Sequence, residues 1–407
     1  MTESELRARL RAMDADSDPA VQQRAWQAVR AAYRPAPRRR ARPRWRMTVP
    51  AVACVLALAA VAVATASPPR QALARWLRDA IGLSTPPHPR PMLAGLPGGG
   101  QLLVNSSAGP WIVSPTGHRR YLGPYTAAAW SPHSLYVVAW RRSQLTALDP
   151  LGRVQWTLPT DGEVSVARWS PDGYRIAYVA AGALSILAGD GSANHQLRGD
   201  AAAVAPAWQP HTDTTHRIAF VDRQGAIHVL DADTGAQSWR SKARPALRQL
   251  LWSPDGTRLL AVSAGRLDLY DSRGRRLATS TRPTGQTIGQ AAFAPTGDRV
   301  ALAVRQAGAA TDSVALVTAT RRGLRQAPEI LFSARERVDA ISWSPDDQWL
   351  LASSSSADQW IFIRTRSPVR LQAVSRITGQ FQADRTPARG FPTLGGWQRV
   401  ATARSGG

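Results

Sequence analysis

The side chains best suited to chemistry in this chain are seven histidines, at positions 88, 118, 133, 195, 211, 216 and 228, a single cysteine, Cys54, and an aspartate that recurs in the phrases Trp169-Ser-Pro-Asp-Gly173 and Trp252-Ser-Pro-Asp-Gly256. Imidazoles at H-E-x-x-H spacing, or combined with paired cysteines, would hold zinc and activate a water. A serine in a G-x-S-x-G elbow would be a nucleophile, and G-x-x-x-x-G-K-[ST] would cradle a phosphate. None of these spacings occurs. His211 and His216 are near neighbours, but "HTDTTH" reads as a polar insertion. The recurring Asp lacks the D-x-D-x-D-G-like series of oxygens that a calcium loop requires. The expectation is no catalytic residue, no cofactor and no metal.

A phrase written twice suggests a structural unit, and worn copies occur along the chain. They begin at Trp130 (W-S-P-H-S), Trp169, Trp208 (W-Q-P-H-T), Trp252, Phe293 (F-A-P-T-G) and Trp343 (W-S-P-D-D), at intervals of 39, 39, 44, 41 and 50 residues. In Ser-Pro-Asp-Gly, proline presets φ at the second position of a type I turn, Asp suits the third, and Gly supplies the positive φ that starts the next strand. An apolar strand follows each turn, for example "RIAYVA" at 175–180 and "RLLAVS" at 258–263. A third follows, such as "LSILA" at 184–188, and turn signals such as Asp190-Gly191 and Arg273-Gly274 lead to a fourth. A period near 40 with four short strands per unit predicts a β-propeller. The aromatic before each turn is expected to pack between blades.

Six anchors allow six blades, but the ends of the repeat region favour seven. "LLVNS" at 102–106, "WIVSP" at 111–115 and "RRYLG" at 119–123 read as three strands of a blade lacking its first, and "FPTLGGW" at 391–397 supplies one strand ending in a seventh anchor, Trp397. Joining them closes the ring and removes free sheet edges.

The W-S-P-D-G phrase with its apolar strand is similar to the WD40-like repeats of TolB-type propellers. "LTALDPLGRVQW" at 145–156 and "IHVLDADTGAQSW" at 227–239 resemble the A-x-D-x-x-T-G-x-x-x-W repeat of quinoprotein-type propellers. These resemblances cover 101–400 and imply a fold, with no cofactor implied by the blade-packing repeat.

The rest of the chain divides at one apolar stretch. Met47 to Pro69 carries no charge over 23 residues, and as a helix it would extend about 34 Å against a hydrocarbon core of about 30 Å. The first 46 residues hold twelve Arg against five acids, including "RPAPRRRARPRWR" at 34–46. The positive-inside rule then keeps the N-terminus cytoplasmic and places everything after 69 outside. A cleaved signal peptide is the alternative, since Ala64-Thr65-Ala66 has the cleavage form, but a 46-residue n-region is far longer than usual and favours an uncleaved signal anchor. The tail, 1–46, has two short helical patterns; "SPPRQALARWLRDAIGL" suits an interfacial helix, and Pro and Gly make 84–100 a linker.

The layout resembles a group of actinobacterial single-pass membrane proteins with an extracytoplasmic propeller. The chain's formal charge of +23 invites a nucleic-acid reading. Only Lys242 among the 51 basic residues is a lysine, however, and so strong an Arg bias beside abundant Ala and Gly fits GC-rich coding. No nucleic acid is expected, since anionic lipid headgroups explain the Arg cluster more simply. Two functions remain. The first is a membrane-anchored scaffold that binds a protein or cell-envelope ligand outside and a protein partner of the tail within, in its sharper form a transmembrane sensor. The second is a hydrolase or lyase with its site in the propeller funnel, for which no nucleophile, base or metal is nominated.

Overall fold

The computed structural model describes residues 92–400 apart from 211–215, 245, 283–284, 307–310, 326–327 and 384–389. The expected tail (1–46), membrane span (47–69) and juxtamembrane helix lie outside the described residues. No helix among the described residues is long and apolar enough to cross a membrane.

Seven antiparallel sheets succeed one another along the chain. Blade I comprises Ala127–Trp130, Val137–Arg141, Gln144–Leu148 and Val154–Pro159. Blades II, III and IV start at Val164, Ala207 and Leu247, blade V at Gln286 and blade VI at Ala340. Each is a meander. Its first-to-second and third-to-fourth turns therefore share one end of the ring, here the turn end. The remaining turns and the passages to the next blade share the opposite, crossover end. First strands of successive blades lie beside one another around the axis, while fourth strands such as Val154–Pro159 are largely exposed.

The ring closes as the repeat pattern predicts, with seven blades and not six. Thr393–Gln398 pairs with Gln101–Ser106, followed by Gly109–Val113 and Arg119–Tyr121, so blade VII takes its first strand from one end of the repeat region and three from the other. Closure buries the edge that Gln101–Ser106 would otherwise present to water. Side chains reinforce the seam: the Ser134 hydroxyl of blade I donates to Gln398 Oε1 at 3.0 Å and to the Arg399 carbonyl at 2.7 Å.

The turn phrase is built as its residues dictate. The hydroxyls of Ser131, Ser170, Ser253 and Ser344 accept the backbone N–H five residues on, at 2.9–3.1 Å. Asp172, Asp255 and Asp346 each accept a hydrogen bond from the hydroxyl of Ser170, Ser253 or Ser344 on Oδ1 and also accept the N–H two residues on. Gly173 and Gly256 have φ of +81° and +66°; Ser134 and Asp347 occupy the same left-handed place without being glycine.

Two expectations shift in detail. Residues 93–99 are part of the propeller and not linker, because Leu93 and Leu96 are buried with Trp360 and Phe362 of blade VI and the Gly99 carbonyl accepts from Trp397 Nε1 at 2.7 Å. The expected strand at 119–123 stops at Tyr121. The 50-residue interval after Phe293 accommodates long second and third strands, Arg299–Gln306 and Asp312–Thr320, the latter pairing with both Gly323–Leu324 and Glu329–Ala334.

Trp397 both fills the last interface and ends the closing strand. Trp397→Ala is expected to cost about 3–5 kcal/mol from the lost apolar contacts, whereas Trp397→Phe keeps most of them and removes chiefly one hydrogen bond, about 1 kcal/mol. Urea denaturation of the two variants, followed by tryptophan fluorescence and far-UV circular dichroism, checks the difference.

Candidate functional site

The repeated aromatics lie at blade junctions. Seven hydrophobic clusters make up the core, and each joins one anchor to the preceding blade: Trp130 to blade VII, Trp169 to I, Trp208 to II, Trp252 to III, Phe293 to IV, Trp343 to V and Trp397 to VI. Trp208, Trp252 and Trp343 each donate their indole N–H, at 3.0–3.1 Å, to the carbonyl just before the preceding anchor (Arg168, Ala207 and Ala292). Phe293 has no N–H to offer and is only half-buried. The indole N–H groups of Trp130 and Trp169 have no hydrogen-bond partner among the described residues.

The tryptophans that end 145–156 and 227–239 also share a placement. Trp156 of blade I and Trp239 of blade III lie flat on the third-to-fourth turns of the next blades, so close that a Cβ on Gly191 or Gly274 would come within 2.8 and 2.6 Å of the respective indole.

Sequence reasoning missed a second repeated element. An arginine opens the second strand at 175, 258 and 299, and each reaches the following blade. Arg175 grips both carboxylate oxygens of Asp233 (2.6 and 2.9 Å). Arg258, 2% exposed, donates to Asp298 at 2.9 Å and to the Gly297 and Ala319 carbonyls. Arg299 bonds Asp347 Oδ2 at 2.8 Å and lies 5.0 Å from the Trp343 ring centre. The signal was present, because Arg also stands at 217 in "RIAFVD", but the chain's general Arg excess concealed it.

Two histidines also have defined roles. In blade III, His228 Nε2 donates to the buried Asp222 carboxylate at 2.8 Å, which also accepts from Arg240 (3.0 Å) and the Ala226 N–H (2.8 Å). Burial pushes this carboxyl up, but the bonds from His228, Ala226 and Arg240 together outweigh it and hold it below the usual range. Asp268 of blade IV behaves likewise: burial raises it, and Arg266, Thr279 and Arg244 more than reverse this. His216 sits between Asp172 and Asp233 at 3.4 and 2.8 Å. Among the described residues no group of three or more His, Cys, Asp or Glu is arranged to hold a metal.

Open hollows lie at both ends of the ring. One of about 560 Å³ lies at the turn end across blades I and II, among Tyr136, Trp156, Trp169, Tyr174 and Asp190. Another of about 590 Å³ lies at the crossover end among Thr126, Glu163, Ala202 and Arg223. Neither contains a paired acid and base set against a nucleophile.

Comparison with known proteins agrees with this architecture. The family description "WD domain, G-beta repeat" matches residues 330–363, which include the first strand, the turn and most of the next two strands of blade VI. Intraflagellar transport protein 122 homologs of mouse and human are each 27% identical over 119 residues, covering 29% of this chain and 9% of theirs; the chain thus matches less than a tenth of those relatives' length. Among solved structures, the C-terminal WD40 domain of Sif2 is 15% identical (73% of this chain, 86% of that one; TM-score 0.52). The Cps50 (Swd1) β-propeller domain of Myceliophteria thermophila is 14% identical (62% and 86%; 0.50). A putative 6-phosphogluconolactonase of Bacteroides uniformis is 15% identical (68% and 96%; 0.52). At such identities the likeness shows the fold alone: a β-propeller.

Replacing Asp347 with the glycine of the complete phrase relieves a left-handed backbone worth about 1–2 kcal/mol, but removes the carboxylate that Arg299 and Thr296 share and leaves Arg299 only the residue 347 carbonyl and the Thr365 hydroxyl, a loss at the lower end of the about 3–5 kcal/mol for breaking a buried pair. Asp347→Gly is therefore expected to destabilise by about 2 kcal/mol in urea titration despite restoring the phrase.

Asp222→Ala leaves His228 and the Ala226 N–H without their acceptor and is expected to cost about 3–5 kcal/mol at pH 7. A carboxyl held low in the folded state stabilises fully above its unfolded pKa, about 3.9, and loses that contribution as pH falls through the folded value. Wild-type stability should therefore drop steeply below about pH 4, and the gap to Asp222→Ala should narrow there, as urea titrations between pH 7 and pH 2.5 would show.

Proposed function

We propose that this chain is a membrane-tethered, non-enzymatic binding scaffold, with the propeller outside the cytoplasm and the first 46 residues within it. The observation that carries the reading is the use made of its polar groups. The repeated Ser and Asp close turns, the repeated Arg ties blades, and Asp222 with His228 braces one blade. The conspicuous polar side chains are thus engaged internally, and the exposed turns and the two hollows are left for recognition. WD40 propellers generally mediate protein interactions, which supports a protein as the outside partner. The W-S-P-D-G phrase and the overall layout support the TolB-type, actinobacterial reading. The uncharged stretch 47–69 behind an Arg-rich segment supports the tether and its orientation. Two helical patterns in the tail support a cytoplasmic protein partner and, with it, a sensor that couples the two sides through clustering.

Protease treatment of spheroplasts carrying tags at both ends tests the placement. The expected result is loss of the C-terminal tag with the N-terminal tag protected on a fragment that includes the span. A propeller free in the medium and starting near Ser67 would overturn the tether. For the sensor form, a chain lacking residues 1–33 should fail to complement a knockout; full complementation would sink it.

A further inference from the structure

The turn end of blades I and II carries an apolar surface that the repeat does not require. The residue leaving the left-handed position of the turn is Thr257 in blade IV, Asp298 in V and Gln348 in VI, but Leu135 in blade I and Tyr174 in blade II. These two are 51% and 74% exposed. The third-to-fourth turns show the same contrast: Leu151 and Val154 of blade I stand where blade IV has Arg273 and Arg276. Leu135, Tyr136, Leu151, Val154 and Tyr174 account for five of the nine exposed large hydrophobics among the described residues. A fold that accepts Thr, Asp, Gln and Arg at these places gains nothing from exposing apolar side chains there, and clustered exposure of this kind marks a contact surface.

The hollow beside this surface shares Tyr136 and Tyr174 with it, and other side chains of its lining are held by contacts within the fold. Trp156 forms part of its floor, pinned by a 2.9 Å bond from its indole N–H to the Gly189 carbonyl and by contact with Gly191. Tyr136 stacks on the buried Trp169, centroids 6.4 Å apart and planes within 20°. A preformed groove loses little ordering entropy on binding. The lining of the hollow is acidic in a chain of net charge +23: it contains Asp190 and no Lys or Arg, and the nearest exposed arginine of these turns, Arg153, stands on the outer rim between Leu151 and Val154. The Asp190 carboxylate is held below the usual range by bonds from the Ser192 hydroxyl and N–H, which leave its other oxygen, Oδ2, without a hydrogen bond in these contacts.

We propose that this groove docks an extended, cationic segment of a partner protein, seating Arg or Lys side chains over Tyr174 and Tyr136 and against Asp190. Exposed aromatic faces attract guanidinium groups, whereas an anionic lipid surface would be repelled by the carboxylate. The proposal rests on the binding-scaffold reading and names one partner chemistry for it; it is independent of which side of the membrane the propeller faces.

Fluorescence anisotropy on the purified full chain in detergent tests it, with a fluorescein-labelled (Arg-Pro)5 peptide as probe and (Gln-Pro)5 as the neutral control. The expected result is saturable binding of the cationic probe that weakens with salt, with at least tenfold weaker binding of the control. Tyr174→Thr, which copies blade IV, should weaken binding about five- to tenfold. Asp190→Asn keeps an acceptor for Ser192 and should weaken binding about fivefold while flattening the salt dependence. Leu151→Arg, again the blade IV residue, adds a positive charge on the exposed turn beside the groove and should weaken binding of the cationic probe modestly, in a salt-dependent way. All three positions are exposed, so unchanged thermal melts are expected to show that each variant is folded. No saturable binding, equal binding of the neutral peptide, or variants that bind like wild type would overturn the proposal. Binding of chitohexaose with none of the cationic peptide would overturn it in favour of a saccharide. Because the probe binds purified protein, such a failure leaves the membrane placement standing, and a secreted propeller would leave the groove standing.

Discussion

A radial sheet has two faces to bury and no outer layer to bury them against, so each blade depends on the blades at either side. This constraint accounts for the core, which consists of seven clusters lying between blades, each closed by an aromatic from the end of the next first strand. Because the clusters form a circle, none has a surplus neighbour. The junction between blades VI and VII draws in Leu93, Leu96, Ile377 and Phe381 from outside the sheets as well as Trp397, so residues from both ends of the repeat region share one core cluster.

Burying aromatics between sheets does not by itself fix how one blade is set against the next, because apolar contact is non-directional. The directional ties are polar. Indole N–H groups reach carbonyls one blade back, and arginines reach carboxylates one blade forward. Amide side chains add a third kind: Gln249 both donates to the Ala291 carbonyl and accepts its N–H at 3.0 Å, and Asn105 does the same for Ala128 across the seam. A primary amide matches the donor and acceptor of a peptide, so it continues strand-like pairing where neighbouring first strands splay apart. The Arg content that composition alone attributes to coding bias is in this part of the molecule structural.

The same internal repetition makes the surface interpretable. Where equivalent positions in several blades differ, the fold has allowed the difference, and the departure needs a cause other than packing. Ser134 and Asp347 depart from glycine and use their side chains to hold neighbouring blades. Leu135, Leu151 and Tyr174 depart from polar residues and hold nothing of comparable kind, which moves attention to the turn end of blades I and II as a place for another molecule.

The local chemistry of the turns was legible in the sequence because it needs only adjacent residues: proline sets one φ, Asp and Ser bond within five positions, and glycine takes the left-handed place. The period near 40 and the orphan strands at 102–123 and 391–397 were likewise enough to predict seven blades and their closure, since an unpaired edge and a missing strand are complementary. Tertiary structure decided what depends on residues far apart in the chain. It paired Arg175 with Asp233 and His228 with Asp222, drew 93–99 out of an apparent linker into the core, and placed Tyr136, Trp156, Tyr174 and Asp190 around one groove. The reason is geometric: one sequence spacing sets the strands of a blade, but which side chains meet across a junction depends on the rotation of one sheet against the next, and that rotation is set by packing around the closed ring.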